Sequence, residues 1–574
     1  MQKSTISVEY SRSQETICVK TPAKTTGLRY WMLQVLEECR HVAADFSTDP
    51  VHNLRVALRR CRSLADGMMA MDPDPDWKAM KKAGKELFQR LGDLRDTQIM
   101  MEWIETLHPP AASSDPAQSE KPSDPGAEST LPTALDAPIS GPPAEDHSGE
   151  DPSASVLLGI LRHREGQQKH EARAALAEFD TKQWRQWSRR LPVRAARIRP
   201  GSAVFKHLAL ERWTAARDLH VRAMRNRSQV ALHTLRIGIK RFRYIVENFL
   251  PVEHKAWSND LKHMQDLLGE VHDLDVLWAT ALSCRVFPDE ASRKAWHARI
   301  IEERTKRIEE YRQRMTGPAS LWNVWRGGLP QGKQIQQIAT QRMKLWAKVL
   351  DPDFAHSERV ARFALELYDG LMASGLLDSL PGSRNGALDG SRKDLIEAAR
   401  DTLYAAALLH DVGRSVDKKG HHKASMDLIM KHGTPLGWKP ETLQRAAIVA
   451  RFHAGALPAR THKTLRDLLP DEQKTVIRLA AILRLANAFD SGHDGHIHRL
   501  QIENVEIPRR RTNGFLRKPP ALGKNEALVI AAEGYVPEGP AAQTIAAERY
   551  LLETVLRRPV VVRAPAAVRL RASA

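Results

Sequence analysis

Through most of the chain, apolar residues return every three or four positions with charged residues between them. Leu28–Leu36, Leu235–Phe249, Leu261–Leu282 and Val360–Leu371 each line such residues along one side of a 3.6-residue turn, which predicts amphipathic helices. The end of the chain reads differently. Leu500–Ile507, Ala527–Ala532 and Val560–Val562 are short and β-branched, and the last two flank a helical run, Gln543–Leu556. The expected fold class is therefore mainly α, with a small α+β appendix at the C-terminal end.

Three stretches interrupt the pattern. Residues 111–150 are rich in Pro, Ser, Ala, Asp and Glu and almost without large apolar side chains, so a disordered acidic insertion is expected. Gly317–Gly332 and the shorter Leu380–Gly390 combine Gly and Pro and predict turns or linkers. A chain of 574 residues is too long for one core. The breaks suggest a basic helical region over 20–315, a helical region over 335–498 and the appendix over 499–565.

Composition changes this picture little until charge is counted. Hydrophobic residues at 42% and charged residues at 27% are ordinary for a globular protein. No apolar run is long enough to span a membrane, and the N-terminus has no apolar core segment of a secretory signal. Four scattered cysteines without a CxxC pair argue against a disulfide framework or a zinc knuckle and suit a cytoplasmic protein. Against that background, 87 Lys and Arg over 69 Asp and Glu give a net charge of +18, which draws nucleic acid, anionic membrane surfaces or phosphate polymers.

The placement of the cations narrows the choice. His52-Asn-Leu-Arg55-Val-Ala-Leu-Arg59-Arg60-Cys-Arg62 is matched by His233-Thr-Leu-Arg236-Ile-Gly-Ile-Lys240-Arg241-Phe-Arg243. A His and three cations sit at offsets 0, 3, 7 and 10 in both copies, within about 80° of one helix face. Leu91-Gly92-Asp93-Leu94-Arg95-Asp96 is echoed downstream by Leu268-Gly269-Glu270-Val271-His272-Asp273. A single charged stripe is most simply a solvated face. Two stripes of one sign, brought together by pseudo-symmetric packing, need an anion between them. A linear polyphosphate offers many oxygens to Arg forks and Lys point charges. Nucleic acid is the weaker candidate, because few aromatics lie among these cations and no nucleic-acid-binding motif is present.

At these residues the chain resembles the CHAD family, whose helical repeats carry His-x2-Arg-x3-(Arg/Lys)-(Arg/Lys)-x-Arg followed by a Leu-Gly…Asp helix. The second copy is the closer, through Lys240-Arg241-Phe242-Arg243-Tyr244 and Leu261-Lys262…Gln265-Asp266-Leu267-Leu268-Gly269…Asp273. The resemblance implies a helical bundle whose basic channel binds inorganic polyphosphate without catalysis of its own. The implied binding residues are His52, Arg55, Arg59, Arg60, Arg62, His233, Arg236, Lys240, Arg241 and Arg243.

A second set of residues runs from Phe354 to His498: His356, His410-Asp411, His421-His422-Lys423, Arg451-Phe-His453, and Asn487 with Asp490. Imidazole and carboxylate groups on separate helices suit Zn, Mn, Mg or Fe, and such an ion supplies hydroxide from bound water. This order resembles the HD superfamily of metal-dependent phosphohydrolases. More closely, residues 335–565 resemble the helical C-terminal domain of the exopolyphosphatase/guanosine pentaphosphate phosphohydrolase family. The implied metal ligands are His356, His410, Asp411 and Asn487 or Asp490, with His422 and His453 for a second ion; His410, Asp411, Lys423 and Arg451 are the implied catalytic groups. Two departures stand out. The usual terminal Asp of a Leu-Ala-Asp string is Asn487 here, and the actin-like ATPase-fold domain of exopolyphosphatases is replaced by the basic repeats.

The expectation is a cytoplasmic, polyphosphate-binding protein, associated with granules or free, with a metal-dependent phosphohydrolase half. Two alternatives stay open: a non-catalytic polyphosphate binder on a degenerate HD scaffold, and an HD-type nucleotide hydrolase acting on ppGpp or a dNTP.

Overall fold

The computed structural model describes residues 27–108, 151–226, 228–377, 389–503 and 527–565. The acidic stretch 111–150 and most of the Leu380–Gly390 break lie outside them. Among the described residues the protein is mainly α, with eighteen helices, one 3-10 turn and a single three-stranded sheet.

The first half is built twice from the same run of helices. Helices α1 (Leu28–Ala44), α2 (Thr48–Met69), α3 (Pro75–Leu107) and α4 (Pro152–Glu178) pack each on the next, and α6 (Ala203–Arg225), α7 (Gln229–Phe249), α8 (Pro251–Cys284) and α9 (Glu290–Met315) repeat the order. The two sets meet where α2 packs on α7 and α3 on α8. Helix starts follow local chemistry: Asp74 and Asp151 each cap a helix whose first residue is Pro, accepting from the backbone nitrogens of Asp76 and Ser153.

Between the sets, α5 (Thr181–Ala195) lies on α1 and α3. Trp184 fastens it, donating from Nε1 to the Met32 carbonyl at 2.9 Å. Arg194 does the same at its other end, donating from Nε to Asp72 at 2.7 Å. The core beneath includes fully buried Trp77, Trp184, Phe205, Phe242, Tyr311, Trp322 and Trp325. Cys61 is part of it as a small apolar group. The expected break at Gly317–Gly332 contains a short helix, α10 (Leu321–Gly327), because Trp322 and Trp325 reach into that core.

Helix α11 (Lys333–Leu350) joins both cores, giving Ile338 to the first and Met343, Trp346 and Ala347 to the second. The second core is enclosed by α12 (Phe354–Ala373), α13 (Asp389–Leu409), α14 (His421–His432), α15 (Pro440–Arg451), the short α16 (Lys463–Arg466) and α17 (Pro470–Ala488). The sheet at the end has β1 (Arg499–Glu503) antiparallel to β2 (Leu528–Glu533), with Ile502 opposite Ile530. Helix α18 (Pro540–Leu556) then carries the chain to β3 (Val560–Arg563), parallel to β2. All three strands fall where β-branched runs predicted them, and the remainder of the first run, 504–507, lies outside the described residues.

Candidate anion channel and metal centre

The two basic stripes face one another. Lys240 on α7 lies within electrostatic reach of Arg55 and Arg59 on α2 as well as Arg236 on its own helix. Burial first, and then these three cations, push the Lys240 ammonium down to about 7. Two carboxylates come in from the packed helices: Asp96 on α3 sees Arg55, Arg236 and Lys240, and Asp273 on α8 sees Arg236 and Lys240. Burial, reinforced by Asp96, pushes Asp273 up to about 6. His233 and His272 hold each other by their Nδ1 atoms at 3.2 Å, and burial with Arg236 lowers His272 to about 4. The repeat carries into space, since Arg95 lies near His52 as His272 lies near His233.

The guanidinium groups are aimed by aromatic faces. Arg55 and Arg62 both lie over Phe88, at 4.4 and 4.8 Å, and Arg59 over Tyr244 at 5.6 Å. Glycines make room for them: a Cβ at Gly92 would stand 3.1 Å from Arg55 Nη1, and one at Gly269 would stand 3.8 Å from Arg236 Nε. The Nε groups of Arg59, Arg62 and Arg236 and the Tyr244 hydroxyl are buried without a hydrogen-bond partner. Such donors are costly unless something accepts from them. Arg60 differs from its neighbours, because it pairs with Glu247 across the α2–α7 contact and covers Trp31, which ties the repeats together. Arg241 is exposed and Arg243 half-buried near Asp266.

In the second half the histidines converge on Asp411. His410, at the end of α13, donates from Nδ1 to the Ala407 carbonyl at 2.7 Å, so its buried Nε2 carries a lone pair and has no partner. His453 donates from Nδ1 to Ala450 at 2.7 Å, and His421 from Nδ1 to Lys418 at 3.1 Å. The Nε2 atoms of His421 and His453 then face each other, 3.1 Å apart, lone pair to lone pair. Asp411 Oδ1, buried and without a hydrogen-bond partner, stands 3.4 and 3.5 Å from those two nitrogens. Such a donor set suits a divalent cation, with each ring orientation fixed by a carbonyl behind it.

Two overlapping groups result: His356, His410 and Asp411, and Asp411, His421 and His453, each with donor atoms within 4.8 Å of one another. Burial alone would raise the Asp411 carboxyl, but His410, His453, Arg414 and His421 hold it well below the usual carboxylate range. Arg414 donates to it from Nε at 2.7 Å.

His356, the third residue of α12, is oriented from behind. Its Nδ1 donates to Asp490 at 2.7 Å, and its Nε2 lies 2.9 Å from Asn487 Oδ1. With Nδ1 protonated, Nε2 and Oδ1 are two acceptors in contact; a cation between them, or the amide turned to donate, satisfies both. Asp490 is engaged by His356, by Arg359 at 2.9 Å and by the Gly495 nitrogen at 3.1 Å, so it acts behind the cluster as a support for His356. His493, in the left-handed region at φ 56, stacks on His356 at 3.9 Å and donates to Asp353 at 2.7 Å.

Of the residues singled out from sequence, the structure brings together His356, His410, Asp411, His453 and Asn487. His422 is not among them; its ring centre is 6.5 Å from that of His453, and it packs beside Gly455. Its neighbour His421 takes the place. Lys423 is exposed on α14. Arg451 lies over Phe452, near His422 and Asp427, with Nη1 buried and unpartnered. The cation placed against Asp411 is Arg414 instead. The sequence alone does not separate His421 from His422; in the structure Ser425, one turn on, is buried and bridges the His410 carbonyl to the Gly413 nitrogen. That contact puts the His421 side of α14 inward.

Comparison with known proteins follows the same division. Residues 32–282 match the family model of the CHAD domain, and residues 335–530 match that of the Ppx/GppA phosphatase, domain III. No curated protein matches the chain. Among solved structures, the crystal structure of the CHAD domain from the plant Ricinus communis is similar at 19% identity, covering 52% of this chain and 88% of that one, with a TM-score of 0.32.

Proposed function

We propose, for a chain that joins a CHAD domain to a Ppx/GppA-type domain III, that the first half holds inorganic polyphosphate and the second hydrolyses its phosphoanhydrides with a divalent metal. The observation that carries the first part is the convergence of Arg55, Arg59, Arg236 and Lys240, with Arg59 and Arg236 Nε buried and unpartnered. A phosphate chain supplies acceptors to all of them at once, with no base edge to read. For the second part, the three carbonyl-locked histidines and the unpartnered Asp411 oxygen form a set whose acceptors one cation satisfies together. His356, His410, His421, His453 and Asp411 would hold it. Such an ion supplies an activated water and neutralises phosphoryl charge. Around it, Arg414 stands ready to take up charge and Asp490 keeps His356 in its tautomer. We place the protein in the cytoplasm, where Cys39, Cys61 and Cys284 would remain free thiols.

Phosphate release from long-chain polyphosphate, with Mg, Mn and Zn supplied in turn and EDTA as control, tests this reading. His410→Ala and Asp411→Ala are expected to abolish release and leave polyphosphate binding intact. Joint loss of both would refute the division of labour. One observation favours a second reading, a binding protein with a silent metal domain: Asn487 occupies His356 Nε2 with a neutral amide where a carboxylate would draw metal. Under that reading wild type binds without release under every metal, and Asn487→Asp gains metal affinity.

A further inference from the structure

Helix α5 answers to α10 in the second set, Trp184-x2-Trp187-x3-Leu191-Pro192 matching Trp322-x2-Trp325-x3-Leu329-Pro330, but its charge is unlike its counterpart's. Thr181–Arg199 contains Lys182 and six arginines and no Asp or Glu. Two of the arginines have structural work: Arg194 binds Asp72, and Arg190 binds Asp74 at 2.7 Å and also Asp76. Those bonds anchor α5 to the turn that follows α2. The others do not share that role. Lys182, Arg185 and Arg189 are exposed and make no ion pair among the described residues. With Gln186 they fall within about 100° of one helix face. Together with Arg190 they line a surface groove of about 540 Å³.

A solvated helix face usually mixes signs or pairs its charges; this one does neither. It also lies at the end of the α2 stripe. A Cβ at Gly84 of α3 would stand 3.4 Å from the Trp184 ring and 3.5 Å from Arg62 Cγ. Arg62 is the last cation of the row that starts at His52, about 15 Å along α2. Trp184 is the inward anchor of α5, and the Lys182–Arg189 face is on its far side, about one helix diameter, ~10 Å, farther out.

We propose that α5 is a second polyphosphate-binding surface, taking the part of a long chain that leaves the α2–α7 channel past Arg62. The inference rests on the channel reading above and names the substrate class for which α5 matters: chains too long to end inside the channel. A polyphosphate has a charge at every unit, so a continuous row of cations is what holds its length. A base-reading partner would ask for aromatic platforms, and both tryptophans of α5 are turned into the core.

The test compares tripolyphosphate with long-chain polyphosphate, titrated into wild type and the Lys182→Ala/Arg185→Ala/Arg189→Ala variant over a range of salt. All three side chains are exposed, so the fold should survive, and the melting temperature checks this. Long-chain affinity is expected to fall about tenfold, and the slope of log affinity against log salt to shrink by about 2, as three lost phosphate contacts imply. Tripolyphosphate affinity should not change. An unchanged long-chain slope overturns the proposal. So do equal losses for both lengths, because α5 would then act only through the channel. If wild type binds neither length, the channel reading itself fails and this inference goes with it.

Discussion

Lys240 shows at a single residue what the channel asks of its ligand. Its charged surroundings are Arg236, Arg59 and Arg55, opposed by Asp273, with Asp96 and His272 also facing it. Its folded value near 7 lies below the ordinary 10.5. Between those limits the unfolded chain holds a proton that the folded chain lacks, so this group makes stability rise with pH across that window. Bound polyanion reverses the balance and keeps Lys240 charged. Binding above pH 7 should therefore take up a proton, and affinity should fall as pH rises. Asp273, near 6, is already mostly ionised there. Calorimetry in buffers of different ionisation heat measures the uptake directly. Lys240→Arg, charged throughout, should bind as tightly at pH 7 and lose the pH dependence; a dependence that persists would assign the proton to another group. The cations themselves were legible in the sequence as a spaced stripe. Their mutual approach was expected from the pseudo-symmetry of the repeat; which side chains meet was not, because that depends on how α2 and α7 pack. The same holds for His421 and His422: adjacent letters differ by about 100° of helix rotation, and a buried Ser425 decides which one turns inward.

The helices themselves could be read from apolar spacing, and the repeat could be read from matched local sequence, because both are recorded within a few turns of chain. What lay beyond reach was the short-range fit between elements. The 3-10 turn Val412–Ser415 and α14 illustrate it. A Cβ at Gly413 would strike the His421 carbonyl oxygen, the Ser425 nitrogen and Ser425 Oγ, and two of those atoms are backbone, so neither can swing away. Gly413 is thus the hinge of contact that seats α14 against the end of α13 and brings His421 to Asp411. Gly413→Ala should cost about 1–3 kcal/mol as overpacking. It should also weaken metal binding, because the two groups share Asp411 and the first residue of α14 is a donor. Thermal melts with and without Mn or Zn would show both effects: a lower melting temperature and a smaller rise on adding metal. A variant that melts lower but keeps the full metal-dependent rise would mean that α14 is not seated by this contact.

For the whole molecule, the decisive contacts join residues that no local pattern connects. His207 on α6 is fully buried, with Nε2 donating to the Leu436 carbonyl at 2.8 Å and Nδ1 accepting from Arg342 at 2.8 Å. Arg342 on α11 also pairs with Glu211 at 2.7 Å, and Glu211 accepts from the Leu436 nitrogen at 3.1 Å. The ring of four closes on itself and ties the repeat domain to the loop after α14. Burial, followed by the Arg342 charge, keeps His207 below its ordinary value, which agrees with a neutral imidazole accepting from the guanidinium. Sequence separations of more than 200 residues hide such a ring from any reading of periodicity. Removing one member of a buried polar set leaves the others unsatisfied, at about 3–5 kcal/mol. Arg342→Leu should therefore lower stability by that order, since Glu211 and His207 lose their common partner while the aliphatic volume is retained. If the ring couples the halves, calorimetry of wild type should give one transition and the variant two, with the metal-bound half now melting apart from the polyphosphate-bound half. Polyphosphate would then raise only the first transition and metal only the second. A variant that still melts as one unit, with each ligand raising the whole, would place the coupling in the apolar contacts of α11 instead, where Ile338 and Trp346 reach into the two cores from a single helix.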